Sequence, residues 1–251
     1  MALTVDLLPA GAIGIIFPAR LLSHYHSRML IRPQTRFGNL WLGRGPKIVG
    51  TISQAATLAQ LGPFPCDIVE IRLDLTGPDQ LRSLNQPTIA TLRLASEGGR
   101  WNGSDADRLP LFDTALQTVT TVDIEYRSPL LKQVSALACR YGKPLIISYH
   151  DFDRTPSLAE LQQVIRTAAN YGTVVKIATR TETEGDVATL RALFAEQCSA
   201  SVCLLGMGAL GPRTRLEFPR LGSCLTYGYL DAPIAPGQVS AAELMNQLNL
   251  V

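Results

Sequence analysis

Eight short runs rich in Val, Ile and Leu, each followed by a stretch with helical character, constrain this chain more than any other feature. The runs are Ile48–Ser53, Asp67–Leu73, Thr88–Leu92, Val122–Glu125, Leu145–Ser148, Val174–Ala178, Ser201–Leu205 and Cys224–Tyr227. Near-continuous apolar runs of this length read as strands buried on both faces, and strand alternating with helix implies a parallel sheet. Eight such units predict an α/β fold of the (β/α)8 TIM barrel type. Punctuation supports the helices. Ser157-Leu-Ala-Glu160 forms a capping box, Ser128-Pro129 predicts proline in a first helical turn, and Gly142 and Gly172 predict helix stops. Leu158, Leu161, Val164, Ile165, Ala168 and Ala169 fall on one face of the helix between Ser157 and Gly172. An open doubly wound sheet would want a glycine-rich turn after its first strand, and Ser53-Gln54-Ala55-Ala56 has none.

At 251 residues the chain suits one barrel domain, expected over residues 35–251. A β-hairpin from Arg36 to Gly43, turning at Gly43-Arg44-Gly45-Pro46, is expected to close the bottom of the barrel. Residues 1–34 are apolar, then basic, and read as a disordered extension or a mis-assigned start with Met29 as initiator; no positive charge precedes the apolar stretch as a signal peptide would require. The net charge of +2 divides into +5 over residues 1–47 and −3 over the rest. A mildly acidic body without a basic patch predicts no nucleic-acid partner, and no run approaches the ~18 apolar residues of a membrane span. The five cysteines are scattered without a Cys-x-x-Cys pair, which suits a reducing compartment, and neither Cys198 with Cys203 nor His24 with His26 has the further ligands that a metal needs. The expectation is therefore a cytoplasmic protein with no metal.

Lys176 interrupts the apolar run Val174-Val175-Lys176-Ile177-Ala178. Burial disfavours the charged form of an amine, and a free amine condenses with ketones and aldehydes. The bland alternative is a strand-end lysine whose ammonium reaches water. The other strand ends decide between them. They carry Glu70, Arg72 and Asp74, then Arg93 and Glu97, Asp123 and Glu125, and His150, with Arg215 ahead of the last strand. The active site of a barrel lies at that rim. An imine-forming amine needs a neighbour that both takes and gives protons near neutrality, and His150, one strand before Lys176, has that capacity.

In order and spacing, Glu70-Ile-Arg72-Leu-Asp74, Arg93 with Ser96-Glu97-Gly98-Gly99, Val122-Asp123-Ile124-Glu125-Tyr126, Ser148-Tyr149-His150-Asp151-Phe152 with Thr155-Pro156, Val175-Lys176-Ile177-Ala178, and Ala235-Pro236-Gly237-Gln238-Val239-Ser240 resemble the type I 3-dehydroquinate dehydratases. The resemblance runs from about Arg36 to the C-terminus. It implies conversion of 3-dehydroquinate to 3-dehydroshikimate in the shikimate pathway through a lysine imine, without metal or organic cofactor, by a homodimer. It also implies Lys176 as the amine, His150 as the proton carrier and Glu97 as the carboxylate that holds His150. Arg215 would clamp the substrate carboxylate. Glu70, Arg72 and Arg93 would bind its hydroxyl side, with Gln238 and Ala235 in a closing loop and Met207 and Tyr227 in the pocket wall. The chain departs from the family at Ile234, where a serine is common, at Leu205-Gly206-Met207-Gly208, at Ala209-Leu210-Gly211-Pro212, and at Tyr227, where phenylalanine is usual. Two other readings are a class I aldolase-like imine enzyme, to which Gly206, Gly208 and Gly211 lend slight support as a phosphate cradle, and a non-catalytic sensor of a pathway metabolite. The His150–Glu97 pair and Arg215 favour dehydration of a carboxylate substrate.

Overall fold

β-Branched side chains pack well on a pleated surface, and the predicted runs form strands in the computed structural model, which describes residues 33–60, 63–235 and 237–248. The expectations for residues 1–32 lie outside these. Two three-residue strands, β1 (Thr35–Phe37) and β2 (Leu40–Leu42), pair antiparallel as the predicted hairpin. Eight parallel strands follow: β3 (Lys47–Ile52), β4 (Ile68–Arg72), β5 (Thr88–Thr91), β6 (Thr121–Glu125), β7 (Leu145–Asp151), β8 (Val174–Arg180), β9 (Ser201–Met207) and β10 (Leu225–Tyr229). They hydrogen-bond in sequence order, and β10 pairs with β3 to bring the sheet round. The remaining seam, between β9 and β10, is stitched more sparsely. Cys224 N–H donates to Val202 O at 2.9 Å, Ser223 Oγ accepts from Leu204 N–H and donates to Leu225 O, and the Cys203 thiol donates to Leu225 O. The result is a nearly closed barrel.

The helices are α1 (Leu73–Thr76), α2 (Asp105–Thr118), α3 (Leu131–Arg140), α4 (Leu158–Ala168), α5 (Glu184–Ala192), α6 (Gly211–Leu221) and α7 (Ala241–Leu248). Strand–helix alternation is thus uneven. Among the described residues, the connection after β3 holds a 3-10 turn at Ala55–Ala59, and that after β4 the single turn α1 and a 3-10 turn at Pro78–Gln80. Pro63 and Pro65 in the first connection and Gly77-Pro78 in the second leave little room for a longer helix. The capping box of α4 forms as expected, and Gly142 takes φ +60° just past α3. Ser128-Pro129 falls in the turn before α3 rather than in its first turn, and Gly172 serves close packing: a Cβ there would lie 2.5 Å from Ile147 Cγ1. On α4, Leu161, Val164, Ile165 and Ala168 are buried, while Leu158 at the end of the predicted face is exposed.

The hairpin fills the end of the barrel where the strands begin. Phe37 and Leu42 are fully buried in one apolar cluster with Val49, Ile68, Ile89, Ile146, Val174 and Leu225. Burying two such side chains is worth about 1.5–3 kcal/mol each. Hydrogen bonds fix the hairpin there: Thr35 Oγ1 lies 3.0 Å from Ser201 Oγ at the start of β9, and that serine donates to Pro33 O. Among the described residues no helix is long and apolar enough to cross a membrane.

Candidate active site

Because side chains alternate across a strand, each barrel strand aims every second residue inward. At the C-terminal ends these inward positions open into a pocket that encloses about 580 Å³ including its mouth. Glu70, Arg72, Arg93, Glu97, His150, Lys176, Met207, Arg215, Tyr227, Ala235 and Gln238 all line it, so every residue given a role from the sequence faces one space, whereas Asp74, Asp123 and Glu125 from the strand ends are not part of its lining. Thr51, Gly98, Phe152, Ala178, Leu205 and Ile234 complete the lining.

Lys176 is 6% exposed, which excludes the snorkelling alternative. Its surroundings, however, are ionic rather than the apolar ones expected of a central strand. Nζ lies 3.3 Å from Asp123 Oδ2 and 4.0 Å from the centroid of the Tyr227 ring. Asp123 is the hub the sequence reading left without a role. Its Oδ1 accepts from Arg93 Nη2 at 2.7 Å and from Ser148 Oγ at 2.5 Å. Burial raises the Asp123 carboxyl, but Arg93 and then Lys176 outweigh it and hold the group well below the usual carboxylate range. Arg93 in turn donates to Ser148 Oγ and lies 3.1 Å from Glu125 Oε1. Three of its contacts are therefore with protein. Arg72 likewise forms a bidentate pair with Asp74, and Glu70 accepts from Thr51 and Thr91, each at 2.8 Å.

The β7–β8 register sets Lys176 beside His150. Ser148 pairs with Lys176 and His150 with Ala178, so the imidazole projects from one inward step above the amine on the neighbouring strand. β7 runs three residues further than predicted, which puts His150 on a strand rather than on a loop. His150 Nδ1 lies 3.0 Å from Glu97 Oε2, and its ring stacks on Phe152 with centroids 6.1 Å apart. Burial, then the positive Arg93 and Lys176, hold the imidazole well below its ordinary pKa, so at neutral pH the ring is uncharged. With Nδ1–H donated to Glu97, Nε2 is left as a bare base. Burial also pushes the Glu97 carboxyl up to about 7, against the opposing pull of Arg93.

Arg215, 3% exposed on α6, differs from the other arginines of the site. Its Nη1 donates to Tyr227 O at 2.9 Å and its Nε to Gly237 O, and among the described residues it forms no salt bridge with a carboxylate. Desolvation brings it down to about 10. A buried cation with only carbonyl acceptors is a ready receptor for an anion. Gln238 folds its loop back on itself, with Oε1 accepting from Ile234 N–H at 2.8 Å. The inward parity that Asp123 shares with Lys176 could have marked it from the sequence. Arg108 left a similar signal, since it recurs on α2 at the helical spacing of the buried Phe112, Ala115 and Leu116.

The chain matches the family model described as type I 3-dehydroquinase over residues 49–251. A relative from Methanocella arvoryzae named 3-dehydroquinate dehydratase is 33% identical over 82% of this chain and 97% of its own length. Another of that name, from Methanothrix thermoacetophila, is 41% identical over 71% of this chain and 79% of its own. Among solved structures, the type I 3-dehydroquinate dehydratase of Clostridium difficile, crystallised with covalently modified comenic acid, superposes with a TM-score of 0.77 at 25% identity, covering 87% of this chain and 97% of that one. With the matched region spanning β3 to the C-terminus and enclosing every strand that lines the pocket, the chain belongs to the type I 3-dehydroquinase family.

Proposed function

We infer that this chain is a 3-dehydroquinate dehydratase, a hydro-lyase that converts 3-dehydroquinate to 3-dehydroshikimate and water in the shikimate pathway. The observation that carries the reading, beside family membership, is the approach of a buried amine and a buried neutral imidazole from adjacent strands into one pocket. The Lys176 amine attacks the C3 ketone and water leaves to give an iminium, which draws electrons from the adjacent C2–H bond far better than the ketone does. His150 Nε2 takes the C2 proton, the electron pair forms the C1–C2 double bond, and the C1 hydroxyl departs as water with a proton returned by His150. Hydrolysis of the iminium then frees product and lysine. Glu97, 3.0 Å from Nδ1, keeps the proton on that nitrogen and balances the imidazolium that forms.

Substrate recognition follows from the charges. The Arg215 guanidinium, bonded to carbonyls but to no carboxylate among the described residues, is the clamp for the substrate carboxylate. Glu70, Arg72 and Arg93, on the far wall, take the hydroxyl side, while Ala235 and Gln238 close the mouth and Met207 and Tyr227 shape it. The catalytic domain is residues 35–251, with the first 34 residues outside it. A cytoplasmic homodimer remains part of this proposal, supported by the scattered cysteines and by the family.

Incubation with 3-dehydroquinate and borohydride, followed by peptide mass mapping, tests the reading. An irreversible adduct is expected on the peptide containing Lys176 and none in Lys176→Ala. Active enzyme whose lysine peptide stays unmodified would remove the imine route.

A further inference from the structure

We propose that Arg108 is a positioning residue for this reaction, holding Lys176 in place through Glu125, Arg93 and Asp123. The proposal rests on the function inferred above. Arg108 lies on α2, outside the barrel wall, yet it is fully buried and its guanidinium points at the strand ends. Its Nη2 donates to Glu125 Oε1 and Oε2 at 2.8 and 2.6 Å and to Leu92 O. Glu125 Oε1 also accepts from Leu94 N–H at 3.0 Å and lies 3.1 Å from Arg93 Nη1, and Arg93 Nη2 reaches Asp123, whose other oxygen faces Lys176. Five buried groups thus alternate in sign from α2 across β6 and the end of β5 to β8.

The arrangement is wasteful unless the charge has a use. Arg108 Nε and Nη1 are buried without a hydrogen-bond partner, and an apolar side chain over the Phe112 ring, which the guanidinium carbon approaches to 5.0 Å, would pack there without that penalty. What an apolar residue could not do is satisfy Glu125. Without Arg108, Arg93 is the one cation among the described residues still paired with Glu125. Arg93 is shared between Glu125 and Asp123, so it would be drawn toward the former. Asp123 Oδ1 then keeps Ser148 Oγ but loses its cation, and the oxygen 3.3 Å from Lys176 loses its fixed position. A shift of about 1 Å at a reacting amine is enough to cost up to about a hundredfold in rate.

The test is a double-substitution cycle read by the borohydride-trapping rate on the Lys176 peptide. Arg108→Met is expected to trap about tenfold more slowly than the wild type. Arg108→Lys, which keeps the charge, recovers most of that loss. Because the charge of Arg108 reaches Lys176 through Glu125, Arg108→Met combined with Glu125→Gln should be less impaired than the product of the two single effects. Wild-type trapping rates in Arg108→Met, or effects that simply multiply in the double variant, overturn the proposal. Should Arg108→Met fail to fold, Arg108→Lys decides against Glu125→Gln: failure of Arg108→Lys to trap faster than Glu125→Gln overturns the proposal. Absence of any adduct in the wild type would instead remove the imine reading itself.

Discussion

The bottom and the mouth of the barrel are built on the same strands, one inward step apart, and they could hardly differ more. Val49 lies below Thr51, Ile68 below Glu70, Ile89 below Thr91, Ile146 below Ser148 and Val174 below Lys176. The lower residues join Phe37 and Leu42 in a dry apolar plug, and the upper ones form a network of buried ions and hydroxyls around Lys176. Advancing two residues along a strand preserves backbone and direction and changes only the side chain. The barrel therefore separates stability from chemistry along its axis, and an ionic layer can be tolerated because the layer beneath supplies burial without needing polar partners.

The sharpest break in that division comes from the upper layer. His150→Ala should lower dehydration by about 10²–10⁴-fold while borohydride still traps the Lys176 adduct and the unfolding midpoint barely moves. Undiminished turnover would strip the imidazole of its role. From the lower layer, Phe37→Ala is expected to cost about 3–5 kcal/mol in urea unfolding at unchanged activity per folded molecule. A loss of activity without a loss of stability would show the plug to be part of the chemistry.

A smaller effect separates the layers by pH. The Glu97 carboxyl titrates at about 7 in the folded chain against an ordinary value near 4.5, so the unfolded state gives up its proton first. Its contribution to stability is therefore lost as pH rises from about 4.5 to 7, by about 3 kcal/mol, whereas activity rises as pH passes through about 7, where the folded carboxylate forms and becomes able to hold the Nδ1–H of His150. Glu97→Gln should flatten both trends, checked by unfolding at pH 4 and pH 8 and by the acid limb of kcat/KM. A variant that kept the wild-type profiles would assign the limb to another group. Phe37→Ala should show the same penalty at both pH values, since Phe37 packs among the apolar side chains of Leu42, Val49, Ile68, Ile89, Ile146 and Val174.

Much of this was written locally. The eight apolar runs determined the strands and hence a parallel barrel, because periodicity and β-branching act over a few residues. The polar residues at their ends marked the rim, and motif spacing marked Lys176, His150, Glu97 and Arg215 as one constellation. Local signals were weaker at boundaries: β7 continues to Asp151 because its backbone pairs with β8, a partner that its own sequence does not name.

The sequence by itself determined which groups meet, but not what each is bonded to. Only the tertiary structure decided that Arg93 and Arg72 are held by carboxylates while Arg215 is not, although all three are buried arginines at the same rim. It also decided that Asp123 stands beside the amine and that Arg108 reaches Glu125 from behind the wall. The reason is geometric. Ion pairing depends on separations of 3–4 Å between residues far apart in the chain, which strand register and helix docking set and which no local pattern encodes.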